Sequence, residues 1–143
     1  MNIKQFELKK IETHYKVEKI TSSKESYKYI REFYSDDIEA YESAFILLLN
    51  NANKTIGYAK ISQGGIAGTV VDVRLILKYA VEGLATGVII AHNHPSGKLT
   101  PSDLDLDMTK KVKNALKCLD ILLLDHIILT SDGFYSFNDE GIL

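Results

Sequence analysis

Six consecutive apolar residues, Ala44-Phe45-Ile46-Leu47-Leu48-Leu49, leave this chain few folds to choose from. A run this short, with no polar residue to face water, suits a strand buried on both faces. Asn50-Asn51-Ala52-Asn53 then reads as a turn. Thr55 to Ser62, with Ile56, Tyr58 and Ile61, reads as its hairpin partner, and Gly64-Gly65 ends the pattern. Thr86-Gly87-Val88-Ile89-Ile90-Ala91 is a second run of the buried-strand type.

The rest of the chain interleaves helices with these strands. Ser22-x-x-Glu25 spells a capping box, and Tyr27, Ile30, Phe33 and Tyr34 share one face of the helix it opens, which should stop near Ser35-Asp36-Asp37. Val73, Ile76, Leu77, Ala80, Val81 and Leu84 follow helical spacing and lead through Gly83 into the second run. A further helix should start near Ser102, with Leu104, Met108, Val112, Ala115, Leu116 and Leu119 inward. Ile121 to Leu129 is strand-like with a break at Asp125-His126, Ser131-Asp132-Gly133 is a turn, and Phe134 to Phe137 is a last strand. In residues 5–20 the pairs Phe6/Leu8 and Tyr15/Val17, with Ile11 between, predict one or two strands. The expectation is an α/β domain of the α+β type, a mixed β-sheet flanked by helices. At 143 residues the chain is one domain, 1–143, with a core over about 38–140 and a strand-and-helix extension over 1–37.

Composition removes several classes of function. A net charge of −2 makes no global field for nucleic acid. No apolar run approaches the length of a membrane span, and Met1-Asn2-Ile3-Lys4-Gln5 lacks the apolar core of a signal peptide. The single cysteine, Cys118, permits neither an intrachain disulfide nor a Cys-x-x-Cys zinc knuckle, so a reducing cytoplasm is expected. Near the end of a helix, Cys118 reads as a small buried apolar residue.

The second apolar run ends in His92-Asn93-His94. Residues i and i+2 of a strand point to one face, so the two imidazoles converge where the strand runs out. Seven residues separate His94 from Ser102, and two more separate Ser102 from Asp105. Three protein ligands with one open position define a catalytic rather than a structural zinc site, and His92, His94 and Asp105 supply such a set. Two neutral nitrogens and one carboxylate leave the centre positive and Lewis-acidic. A metal-activated water needs a base, and Glu42, just before the first apolar run, is the candidate. Ser102 offers a hydroxyl to the oxyanion formed when a carbonyl is attacked. Simpler readings stand beside these. Ser102-x-x-Asp105 is also an N-cap followed by an N3 acid, Glu42 is also an ordinary solvated acid, and His14 and His126 read as satisfied polar or surface residues.

Other chemistries fail on spacing. There is no His-Glu-x-x-His, no His-x-Glu followed by Cys-x-x-Cys, and no Gly-Lys-Ser/Thr after Gly64, Gly65 and Gly68. The letters of residues 92–94 spell the name of a nuclease motif, but that motif is dispersed along a chain.

His-x-His, seven residues, Ser, two residues, Asp resembles the JAMM motif of the JAB/MPN metalloprotease superfamily. The local text His92-Asn93-His94-Pro95-Ser96-Gly97, Pro101-Ser102 and Asp105 resembles the bacterial RadC branch, as do Leu124-Asp125-His126-Ile127-Ile128 and Tyr135-Ser136-Phe137. The resemblance covers about residues 40–140. It implies the cytidine-deaminase-like JAB/MPN architecture, zinc on His92, His94 and Asp105, and Ser102 as the serine that helps stabilise the tetrahedral intermediate. It places the catalytic Glu upstream near an early strand, where Glu42 fits. The next strand offers Lys60 and no carboxylate in Ala59-Lys60-Ile61-Ser62. Many members carry an upstream helix-hairpin-helix segment with no counterpart here, so a stand-alone catalytic-type domain is expected.

Two function classes follow. In the first, the chain is a zinc-dependent hydrolase, a metallopeptidase or isopeptidase acting on a peptide or protein. In the second, suggested by the DNA-repair label attached to the RadC branch, it is a repair or recombination accessory domain with a structural or vestigial metal site. A zinc nuclease is a weaker third. Lys110, Lys111, Lys113 and Lys117 follow Asp103, Asp105 and Asp107 along one helix, an order that suits the helix dipole better than a phosphate track. Specificity should lie in loops 62–72 and 95–101. The oligomeric state is open, with an edge at 55–61 that allows a homodimer.

Overall fold

The structure is a computed structural model that describes residues 1–7, 9–64 and 71–143. Five strands form one mixed sheet: β1 (Ser43–Leu49), β2 (Thr55–Gln63), β3 (Gly87–Asn93), β4 (Leu122–Leu129) and β5 (Phe134–Ser136). Their order is β2-β1-β3-β4-β5. β1 runs antiparallel to both β2 and β3, β3 and β4 are parallel, and β5 returns antiparallel to β4. Three α-helices, α1 (Ser23–Arg31), α2 (Val73–Glu82) and α3 (Asp103–Lys117), and a short 3-10 helix, Asp36–Glu39, complete the described architecture. The parallel β3–β4 pair needs a crossover, and α3 supplies it. This is the α+β arrangement of the JAB/MPN fold.

The continuous apolar runs are explained by two cores, one on each face. Ala44, Ile46, Leu48, Val88 and Ile90 pack against Ile76 and Ala80 of α2 and Val112 and Leu116 of α3. Phe45, Leu47, Leu49, Ile89 and Ala91 pack on the other face against Ile30 of α1, Tyr34 and Ile38. Alternate side chains of β1 and β3 thus feed different layers, so neither strand has a solvated face. β2, an edge strand, alternates instead: Ile56 and Tyr58 are exposed, while Thr55 and Ile61 are buried.

The structure corrects several expectations from the sequence. No strand forms in residues 1–18 among those described, and Phe6, Ile11 and Val17 are exposed. Among the described residues of the predicted span 5–20, the β-pairing is limited to an isolated bridge between Lys19 and Lys54. Charged neighbours such as Lys4, Glu7, Lys9 and Glu12 leave too little apolar surface to dock a strand. Leu8, Gly65 and Gly68, with most of the loop 62–72, lie outside the described residues. The α1 box is shifted: Ser22 Oγ accepts the Glu25 N–H, but the Glu25 carboxylate takes the Thr21 N–H and hydroxyl. Leu104 and Leu119 of the predicted inner face are exposed, as are Val81 and Leu84. Cys118 is the exposed C-cap of α3, not a buried residue.

There is no break in β4 at Asp125-His126. The register instead steps from Val88↔Leu123 to Ile89↔Asp125, so Leu124 is an extra residue, a β-bulge. Leu123 belongs to the α2/α3 core, and the bulge restarts the alternation so that Ile127 and Leu129 face α1. His126 is thereby turned toward α3. No helix among the described residues is long and apolar enough to cross a membrane.

Candidate metal centre

Four side chains meet at one end of the sheet. β1 and β3 are antiparallel with Ala44 opposite His92, so Glu42, two residues before Ala44, lands beside His92 on the same face. His92 is buried within β3. His94 follows just past the strand end, its N–H still donated to the Leu129 carbonyl at 2.9 Å. A tight turn comes next: the Gly97 N–H reaches the His94 carbonyl at 3.0 Å, with Gly97 in the left-handed region at φ 83°. The turn brings the Lys98 carbonyl within 2.7 Å of His94 Nδ1, which donates to it.

Asp105 arrives from α3. The Ser102 hydroxyl accepts the Asp105 N–H at 3.1 Å and Asp105 Oδ2 accepts the Ser102 N–H at 2.8 Å, a complete capping box. The same carboxylate faces the imidazoles, with Oδ1 3.3 Å from His92 Nε2 and Oδ2 3.2 Å from His94 Nε2. The cap reading and the site reading of this pair describe one geometry. The inner face of α3 runs Asp105, Met108, Thr109, Val112, Leu116, which is why Leu104 points to solvent. Two positions that an ordinary amphipathic helix would fill with apolar residues carry Asp105 and Thr109.

His92 Nε2 and His94 Nε2 are 2.9 Å apart, and Glu42 Oε1 is 3.8 Å from His92 Nε2. One donor atom from each of Glu42, His92, His94 and Asp105 lies within 4.8 Å of all the others. Ligand atoms held tetrahedrally at about 2.0 Å from an ion are about 3.3 Å apart. The two Nε2 atoms at 2.9 Å, and the Asp105 oxygens that lie 3.3 Å (Oδ1) from His92 and 3.2 Å (Oδ2) from His94, are each within a few tenths of an ångström of that edge, with one carboxylate oxygen toward each imidazole. Two ring nitrogens this close repel unless a cation or shared proton lies between them, so this nitrogen and oxygen donor set fits a divalent ion.

Electrostatics agree with the geometry. Burial works against the Asp105 charge, but the imidazoles of His92 and His94 beside it and the Ser102 N–H outweigh it and hold the carboxyl well below the usual range. Burial also opposes the His94 charge, yet Asp105 and the Lys98 carbonyl raise this imidazole above its ordinary value. His126, fully buried, is pushed far below the ordinary histidine range by burial and by the neighbouring His92.

Three residues of this neighbourhood escape sequence reasoning. His126, expected as a satisfied or surface residue, is satisfied but lies in the site: its Nε2 is 2.6 Å from His92 Nδ1 and its Nδ1 2.6 Å from Thr109 Oγ1. Asn93, between the two histidines, points to the opposite face, where it accepts the Ser43 N–H and donates to the Ile38 and Tyr41 carbonyls. The sequence signals for His126 are a polar pair inside an otherwise apolar run and its place in the family-like text Leu124-Asp125-His126-Ile127-Ile128, neither of which puts it at the site.

A model of the RadC-like JAB domain matches residues 20–142. A protein of Flavobacterium johnsoniae named UPF0758 protein is 50% identical over 127 residues, 89% of this chain and 55% of its own length. Proteins of the same name from Porphyromonas gingivalis and Chlorobaculum parvum are 43% and 33% identical, over 88% and 87% of this chain and again 55% of theirs. The chain thus spans about half the length of the curated relatives it matches.

Proposed function

This chain belongs to the RadC-like JAB domain family, and we propose from that premise that it is a zinc-dependent hydrolase of amide bonds in a peptide or protein. The observation that carries the reading is the convergence of Glu42, His92, His94 and Asp105 within 4.8 Å at one sheet end. His92, His94 and Asp105 would hold the zinc. When bound, zinc supplies Lewis acidity, lowering the pKa of water toward ~7 and polarising a carbonyl.

Glu42 is the base. Its carboxylate lies 3.8 Å from His92 Nε2, farther than the nearest atoms of His94 and Asp105, and its side chain is largely shielded from solvent at 14% exposure. It takes a proton from the attacking water and returns it to the leaving amine as the carbon–nitrogen bond breaks, so that one water yields one acid and one amine. Ser102 spends its lone pair on the Asp105 N–H and keeps its hydroxyl proton free, which it donates to the developing oxyanion.

Metal analysis of protein purified without added zinc tests the site. About one equivalent is expected, and less than half an equivalent that does not rise on adding zinc excludes a one-site centre. Glu42→Gln should keep the metal and lose amide hydrolysis, whereas activity surviving that change removes Glu42 from the role. Salt-dependent DNA binding untouched by His92→Ala would instead favour a repair-associated accessory domain.

A further inference from the structure

We propose that Thr109 and His126 are positioning residues that hold His92 with its proton on Nδ1 and its Nε2 turned bare toward the site, before any metal arrives. The inference rests on the metal reading above and adds to it a role for residues that touch no ligand.

The argument is a proton count along one chain of contacts. The Asp105 backbone carbonyl can only accept, so the Thr109 hydroxyl, 2.6 Å away, gives its single proton there. Such donation to the carbonyl four residues back is usual for threonine in a helix. Thr109 Oγ1 then has only lone pairs for His126 Nδ1 at 2.6 Å, so that nitrogen must carry a hydrogen. A neutral His126 has its other nitrogen bare, and Nε2 faces His92 Nδ1 at 2.6 Å. His92 therefore donates from Nδ1. In the neutral ring Nε2 is then bare, and it is the atom that lies 2.9 Å from His94 Nε2 and 3.3 Å from Asp105 Oδ1. The directions follow from one fixed acceptor, the Asp105 carbonyl, together with a neutral His126. The relay also ties two of the metal-facing residues together, the backbone of Asp105 to the ring of His92.

Two further observations favour a dedicated arrangement over a polar residue that merely fills space. His126 is wholly buried, with the His92 ring and the Thr109 hydroxyl as its side-chain polar partners, a setting in which an imidazolium would be desolvated without a carboxylate in contact. It also reaches α3 only because the Leu124 bulge restarts the alternation of β4. Without that extra residue the position would face α1. The ring is held from its other side by Phe137, stacked at 4.4 Å between centroids and 18° between planes.

Metal-binding histidines commonly donate their second N–H to a carboxylate or carbonyl, and removing that partner costs 10- to 100-fold in metal affinity. Here the partner is a neutral imidazole oriented by a hydroxyl, so the isosteric Thr109→Val should act at two bonds' remove. Zinc affinity measured by chelator competition should fall at least about 10-fold in Thr109→Val and in His126→Leu. His126→Gln should restore most of it, since a carboxamide oxygen can replace the accepting nitrogen. In parallel, long-range proton–nitrogen spectra of the metal-free wild type should show His92 protonated on Nδ1, and Thr109→Val should show a mixture of tautomers. An unprotonated Nδ1 in the wild type, or a Thr109→Val affinity within twofold of it, overturns the proposal. If the leucine variant fails to fold, the wild-type spectrum and the valine variant decide. If the wild type binds no zinc, the zinc reading falls, and the metal-free spectrum still decides whether the relay sets the tautomer.

Discussion

Asn93 and Ser43 are joined across β3 and β1: the Asn93 carboxamide oxygen accepts the Ser43 N–H at 2.7 Å. The same carboxamide donates to the carbonyls of Ile38 and Tyr41 at 2.6 and 2.8 Å. Glu42 lies between two of these anchored residues. A side chain on the face away from His92 and His94 thus holds the backbone that carries the acid beside them.

Asn93→Ala should leave one N–H and two carbonyls short of a partner in a buried setting. The expected cost is roughly 3 kcal/mol of stability, read from the urea midpoint at unchanged slope. With Glu42 less firmly held, amide hydrolysis should fall more than zinc content. A variant that retains wild-type stability would show that the carboxamide does not hold this segment.

Ser102 has two roles that different substitutions separate. Ser102→Ala should lose the α3 cap, about 1 kcal/mol, whereas Ser102→Asn should keep it because asparagine caps as well as serine. If the hydroxyl supports the oxyanion, kcat should drop in both variants while the melting temperature drops only in the alanine variant. Full activity in Ser102→Asn assigns the residue to capping alone.

Metal removal should be visible as lost stability. An ion present at 100 times its Kd and bound only by the folded chain contributes about 2.7 kcal/mol. For a domain of this size that corresponds to roughly 5–10 °C in Tm between zinc-loaded and chelator-treated protein. The difference should vanish in His92→Ala. An equal shift in that variant would place the ion elsewhere.

Asp125 provides a pH test away from the metal. It is buried on the α1 side of the bulge, and burial raises its carboxyl above the ordinary aspartate range despite bonds from Ser136, the Asn138 N–H and the His126 N–H. With the folded value above the unfolded one, the native state holds more proton between them, so this group's contribution to stability falls as pH rises through that window. The stability of the wild type relative to Asp125→Asn, from urea titrations at several pH values, should therefore decline from the unfolded to the folded value and stay flat above it. A difference that grows with pH in that window contradicts the raised carboxyl.

Much of this protein is legible in its sequence. The apolar runs at 44–49 and 86–91 read as buried strands because their length and composition suit little else. His92 and His94 converge because strand side chains repeat every second residue, and Ser102-x-x-Asp105 opens a helix because its capping chemistry is local. Other features arise between segments far apart in the chain. Whether Glu42 faces His92 depends on the register of β1 against β3. Whether His126 joins the site depends on one bulge, which moves a side chain from one face of the sheet to the other. Leu104 and Cys118 depart from the sequence expectation because helix phase is set by what α3 packs against, and polar residues occupy part of its inner face. Local periodicity and capping are properties of neighbouring residues, so the sequence determines them alone. Register, bulge placement and the partners that Asn93 meets are settled only when the strands pair, because each depends on a segment some 30 to 50 residues away.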